Sequence, residues 1–253
     1  MMETQYLPQV VIINEDGVVA EKEREIPKNL KEKVDILDMN FVEDKDYAEY
    51  LPSTAWKGDI CLKSPFEDKY ILMNEFEETL KLDKIDFICC ILQQLGATKV
   101  TYTTKRTESE IVTWDAKGKL TVKPKGKGEI DVKGSNSNTD EGSLSQEIVY
   151  SGLNSNPVDQ SVLQECWELA KQKAKDFNLE NDSFVRFVLE SRNPKNKNVQ
   201  LSFSRTTELT SECNSTLNIV GRLSAVKLFS VSGEFERIVN VRNHSITTFK
   251  VEF

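Results

Sequence analysis

The chain has a single histidine, His244, in "VRNHSITT", so any mechanism that moves a proton on an imidazole depends on that one position. A cysteine or serine nucleophile needs an adjacent base and a group that orients it. Cys213 stands 31 positions before His244 in a β-rich stretch with no motif joining the two, and His244 reads as part of a surface turn between strands. Histidine-based metal sites are excluded by count. The acidic groups "NEDGV" (Asn14 to Val18) and "FEETLKLD" lack the ligand spacing of a calcium loop, and read as a turn and a solvated helix face. "KGKGEI" brings glycines close together, but no helix bearing Lys-Ser/Thr follows, so it is not a phosphate loop. Cys61, Cys89, Cys90, Cys166 and Cys213 are odd in number and have no CxxC spacing, which argues for reduced thiols over a disulfide framework or structural zinc. The vicinal pair Cys89-Cys90 lies among Phe87, Ile88, Ile91 and Leu92, where cysteine serves as a small hydrophobe. Trp56, Trp114 and Trp167 are scattered and form no stacking ladder for single-stranded nucleic acid. The residues therefore predict no catalytic site, no metal and no cofactor.

Those side chains must be held by something, and the composition supports a core. Of 253 residues 38% are hydrophobic and 29% charged, a globular balance. The net charge of -8 argues against a nucleic-acid partner, which selects a basic domain or stripe. The charge is uneven: Asn14 to Asp86 is acidic, whereas Lys117 to Lys133 carries six lysines against Glu129 and Asp131. The first residues show no basic, apolar leader, and no run approaches the roughly 20 apolar residues of a spanning helix. A soluble, cytoplasmic chain is expected, with membrane association on activation.

"QVVIINEDGVVAEKE" reads as a hairpin turning at Asp16-Gly17. Ile26 to Leu51 suggests short helical turns between Pro27 and Pro52, then short elements in "WKGDICLKSP" and "KYILMNEF". "KLDKIDFICCILQQLGA" predicts a helix apolar on most sides and hence buried, capped at Asp83 and stopped by Gly96. "TKVTYTTKRTESEIVTW" suits a strand or strand pair. "SNPVDQSVLQECWELAKQKAKDFNL" predicts an amphipathic helix with Val158, Val162, Cys166, Leu169, Ala170 and Phe177 inward and Glu165, Glu168, Lys171, Lys173 and Lys175 in water. Strands are expected from there on: "SFVRFVLES", "NVQLSFSR", "STLNIVGRL", "AVKLFSVSGEFERIVNVRN" and "ITTFKVEF", the last with Phe249, Val251 and Phe253 on its buried face. With no βαβ units in this reading, the fold class is α+β: a mainly antiparallel twisted sheet with long hairpins, one buried helix and one amphipathic helix packed on it. A single domain is expected, an acidic mixed part at 1–82 followed by the helix and hairpin blocks of 83–253.

The stretch from Lys119 to Ser151 alternates at both ends, around a polar loop "GSNSNTDEG", so that its two strands could pair. Lys119, Lys123, Lys125, Lys127 and Lys133 share parity and would share one face of an unbroken strand, opposite Leu120, Val122, Ile130 and Val132. Pro124, Gly126 and Gly128 interrupt that strand. Such lysines either protect a sheet edge or attract an anionic surface, at about 1 kcal/mol per lysine near an acidic leaflet.

The order of a polar, serine-rich hairpin ("GEIDVKGSNSNTDEGSLSQEIVYSG"), a Pro-capped helix ("NPVDQSVLQECWELAK") and two alternating strands ("FVRFVLESRNPKNKNVQLSFSR") resembles the pore-forming domain of gasdermins. The likeness covers about Gly118 to Arg205 and is one of layout, carried by no diagnostic motif. It implies hairpins that refold onto a membrane, with Lys119, Lys123, Lys125 and Lys127 meeting acidic lipid. The expected function is a non-enzymatic, membrane-active effector whose partner is an anionic membrane or a further copy of itself. The alternative is a protein-recognition or assembly module that acts through its sheet surface or edge strands.

Overall fold

The run "VVII" is apolar at four successive positions, the pattern of a strand covered on both faces. Val10–Asn14 forms such a strand, β1, buried throughout. The computed structural model describes residues 7–14, 19–38, 40, 45–114, 120–124, 144–150, 160–196, 200–209, 213–225 and 241–253. The chain divides into two compact units: Met1–Leu80, Ser109–Gly126 and Ser211–Arg242 form the first, and Lys81–Glu108, Lys127–Thr210 and Asn243–Phe253 the second.

In the first unit β1 is an inner strand of a four-stranded sheet in the order β2-β1-β3-β4, with β2 at Val34–Asp38, β3 at Ile60–Lys63 and β4 at Tyr70–Leu72. β2 lies parallel to β1, Ile12 beside Ile36, and β3 antiparallel, Val11 beside Cys61. The expected hairpin at the N-terminal end is corrected: the chain passes from β1 through a helix, α1 (Val19–Glu25), to a parallel neighbour. "AEKERE" is rich in good helix formers, and a parallel pair cannot be joined by a tight turn. This is one βαβ unit where none was expected. Val11, Ile13, Leu37, Tyr47, Cys61 and Tyr70 form the core on one face. "STLNIVGRL", expected as a strand, belongs to a helix near β1, α5 (Cys213–Ala225). Thr216, Val220 and Leu223 are buried at spacings of four and three, which is helical and not alternating.

In the second unit the buried helix is present as α2, Phe76–Gln94, which starts seven residues before the expected cap and enters this unit at Lys81. Ile85, Ile88, Cys89, Ile91, Leu92 and Leu95 are all buried. Gly96 ends the helix with φ at 84°, the left-handed backbone that glycine adopts without strain. β5 (Lys99–Trp114) is one long strand. A five-stranded sheet has the order β6-β5-β9-β8, with β7 also on β5; β6 is Leu120–Pro124, β7 Leu144–Val149, β8 Ser202–Glu208 and β9 Val241–Glu252, of which β6, Ser109–Trp114 of β5 and Val241–Arg242 of β9 belong to the first unit. β6 pairs with Glu110 to Trp114 of β5 and β7 with Lys99 to Thr104, both antiparallel. The two described arms of the polar, lysine-rich stretch thus pair with β5 and not with each other.

α3 spans Gln160–Asp176 with the expected charged face exposed. Its packing face matches the expected one only in part. Ala170 and Ala174 are fully buried, and Phe177 just beyond the helix stacks on Phe87 of α2 with ring centroids 4.1 Å apart, while Val162 and Leu169 are exposed. Two alanines allow the close approach that larger side chains would block. "SFVRFVLES" is the helix α4 (Ser183–Ser191) and not a strand. Asp182 caps it, accepting from the amides of Phe184 and Val185 at 2.8 and 3.0 Å, and Phe184 and Val188 are buried four residues apart. β9 keeps the expected alternation, with Phe249 and Val251 buried and Lys250 and Glu252 exposed. His244 lies within β9 and not in a turn.

The fold class is α+β, with two mostly antiparallel sheets; α1, α4 and α5 add to the two helices expected. Among the described residues no helix is long and apolar enough to cross a membrane. A Cβ at Gly96 would meet nothing within 4 Å, so Gly96→Ala tests backbone strain alone. It should lower stability by about 1 kcal/mol in urea unfolding.

Candidate functional site

A lysine amine has three donors and a charge, and is almost never fully buried without partners. Lys84 of α2 is fully buried. Its Nζ lies 3.0 Å from Oδ2 of Asp182, whose side chain is only 8% exposed, and donates to the carbonyl of Glu208 at 2.9 Å. Asp182 therefore serves twice, capping α4 through Oδ1 and holding Lys84 through Oδ2.

Glu208 ends β8, which among the described residues is the outermost strand on its side of the sheet. The Leu209 amide donates to Ser245 of β9 and the Phe253 amide to the carbonyl of Leu201, each at 2.9 Å. By the alternation of an antiparallel ladder, Phe203, Arg205 and Thr207 aim their main-chain groups at β9, while Ser202, Ser204, Thr206 and Glu208 aim theirs away from it. The Glu208 carbonyl is covered by Lys84. At the other end the Gln200 amide donates to Ser191 at 3.3 Å, and its carbonyl accepts from Nη1 of Arg192 at 3.1 Å. Between these covered ends, Ser202, Ser204 and Thr206 present N–H and C=O groups that meet no main-chain partner among the described residues.

Arg192 is the second buried cation among the described residues. Its Nη2 donates to the Leu95 carbonyl at 3.3 Å, its guanidinium lies 4.1 Å from the Phe253 ring centre, and burial lowers its pKa from the ordinary value. Leu95 follows the end of α2, where helix carbonyls lack partners, so Arg192 satisfies one of them. Beside the edge, Phe203 meets Phe184, Phe187 and Phe253 at centroid distances of 6.1, 5.4 and 6.0 Å. The Arg205 guanidinium, exposed, stacks 4.1 Å over Phe187. Such aromatic contacts contribute roughly 0.5–1.5 kcal/mol each beyond area burial, and they fix the strand against α4.

Elsewhere the chemistry is quiet. In the first unit a depression of about 480 Å3 is lined by Glu23, Lys31, Glu32, Asp35 and Tyr47, among others. Asp35 accepts from the Tyr47 hydroxyl and pairs with Lys45 at 3.1 Å. Burial, then the bond to Asp35, raises the pKa of Tyr47, so it remains a donor. Among the described residues no cluster of three His, Cys, Asp or Glu can hold a metal. Burial pushes the thiols of Cys61 and Cys89 up to about 12.

Of the sequence-derived lipid candidates, Lys119, Lys125, Lys127 and Lys133 lie outside the described residues. Lys123 is a β6 position beside Ile111, with only its backbone described. Cys213 opens α5 and His244 lies in β9, again with backbone alone described. The edge of β8 and its two covering cations went unnoticed in the sequence. The available signal was "SFSRTTE", a strand pattern without lysine or proline. No protein-family model, curated protein or solved structure matches this chain.

Two outcomes follow from this geometry. Asp182→Ala removes the cap and takes the carboxylate away from a buried amine, and should cost about 3–5 kcal/mol in urea unfolding. Lys84→Met should cost clearly less, because Asp182 keeps its two amide donors. Iodoacetamide on the native protein should label Cys90 and Cys166, which are partly exposed, well before Cys61 and Cys89, as read by peptide mass spectrometry.

Proposed function

We propose that this protein is a non-enzymatic recognition and assembly module that takes an extended protein strand onto the open edge of β8. The observation that carries this reading is the run of three outward positions, Ser202, Ser204 and Thr206, whose main-chain groups lie ready in strand geometry between covered ends. Natural edges are blunted with lysine, proline or bulges. "SFSRTTE" carries neither lysine nor proline, and its pairing with β9 runs without a bulge from Ser202 to Glu208. Strand addition draws its affinity from such main-chain bonds and its selectivity from flanking side chains. Arg205 and Phe203 are the flanking groups here.

Proline substitution separates this role from folding. Ser204→Pro removes an N–H aimed away from β9, which edge positions tolerate. Arg205→Pro removes one aimed at β9. On an array of extended peptides, Ser204→Pro should lose the peptides that wild type captures, with its urea midpoint little changed, whereas Arg205→Pro should unfold more easily. Peptides still bound by Ser204→Pro would overturn strand addition. Dye release from acidic-lipid vesicles, abolished when Lys119, Lys123, Lys125 and Lys127 are replaced by glutamate, would instead favour the gasdermin-like, membrane-active reading.

A further inference from the structure

We infer that the strand received by β8 is β8 of a second copy of this chain, antiparallel and centred on Ser204; the inference rests on the strand-addition reading above. The open run is short and bounded. The Gln200 amide and carbonyl are taken by Ser191 and Arg192, and the Glu208 carbonyl by Lys84. Its midpoint is Ser204. When two antiparallel copies are centred there, Ser204 faces Ser204 of the second copy and Ser202 faces its Thr206. Every open outward position then joins a narrow pair that exchanges both N–H···O bonds.

Neighbouring registers do worse. A centre at Thr206 sets Ser204 against Glu208, whose carbonyl is covered. A centre at Ser202 sets Ser204 against Gln200, whose amide and carbonyl are both engaged. A centre at Phe203 likewise wastes Thr206 on Gln200. A centre at Arg205 places two guanidinium groups opposite each other, which is destabilising. The Ser204 register sets Arg205, already stacked 4.1 Å over Phe187, against Phe203 of the second copy, a further cation–ring contact. On the other face it aligns Ser and Thr hydroxyls with no charge opposed. A twofold axis through Ser204 closes the assembly as a dimer and leaves no edge for a third copy on this side. Each copy carries a net charge of -8, so association strengthens as salt screens the repulsion.

Cysteine placement reads the register. Narrow antiparallel pairs hold Cα atoms about 5.5 Å apart, within disulfide reach. Under mild copper-phenanthroline oxidation, Ser204→Cys should cross-link to a dimer on a non-reducing gel well beyond the wild-type background. Ser202→Cys and Thr206→Cys should cross-link when mixed and not when alone. Sedimentation of wild type should give the dimer mass, more so at higher salt, and Ser204→Pro should weaken the dimer by about tenfold or more. A wild type that sediments as monomer at all concentrations, with Ser204→Cys cross-linking no more than background, overturns the dimer. Strand addition to another protein survives that result if Ser204→Pro still loses its captured peptides, and fails with it if the peptides stay bound.

Discussion

The second unit depends on a charge that has been taken out of water. Lys84 is buried where a carboxylate and a carbonyl meet it, and each belongs to a segment far away in sequence. Removing an ammonium from water costs several kcal/mol, recovered only when geometry and partners are complete. Placing this one amine therefore fixes three things together: the rotation of α2, the start of α4 and the outer end of β8. An apolar side chain at the same position could fill the volume, but it would leave the Glu208 carbonyl without this donor and remove one direction from the packing.

Arg192 repeats the logic at the other end of the strand. It reaches the Leu95 carbonyl past α2 and the Gln200 carbonyl before β8, and rests on the Phe253 ring. Two buried cations thus donate to main-chain oxygens at the two ends of one exposed strand. Burial here separates groups that are spent on the fold from groups left for a partner, and the aromatic cluster of Phe184, Phe187 and Phe203 keeps that division rigid.

Much of the fold was legible where periodicity was unambiguous. The buried face of β9, the charged face of α3 and the Gly96 stop are all visible in residue spacing alone. Two of the errors share one cause. "SFVRFVLES" and "STLNIVGRL" are dense in β-branched and aromatic residues, and composition outweighed the spacing of four between Phe184 and Val188 or between Thr216 and Val220. Asp182 ahead of Ser183 was a readable cap that went unread. The site was less legible still. An open edge is a property of strand order, and a lysine inside an apolar helix says that partners exist without saying where.

The long reach of these contacts has a consequence for biosynthesis. Thr98 just before β5 donates to Glu252 at the end of β9, 154 residues later, and β9 supplies the whole inner partner of β8. During synthesis, which runs from the N-terminal end, β8 leaves the ribosome before β9 does, and so lacks the partner that takes the main-chain groups of Phe203, Arg205 and Thr207. Until Phe249 arrives, the Phe184 ring also lacks the neighbour whose centre lies 5.0 Å away. Throughout the few tens of residues that separate β8 from β9, the nascent β8 therefore lacks the ladder that holds it in the folded chain.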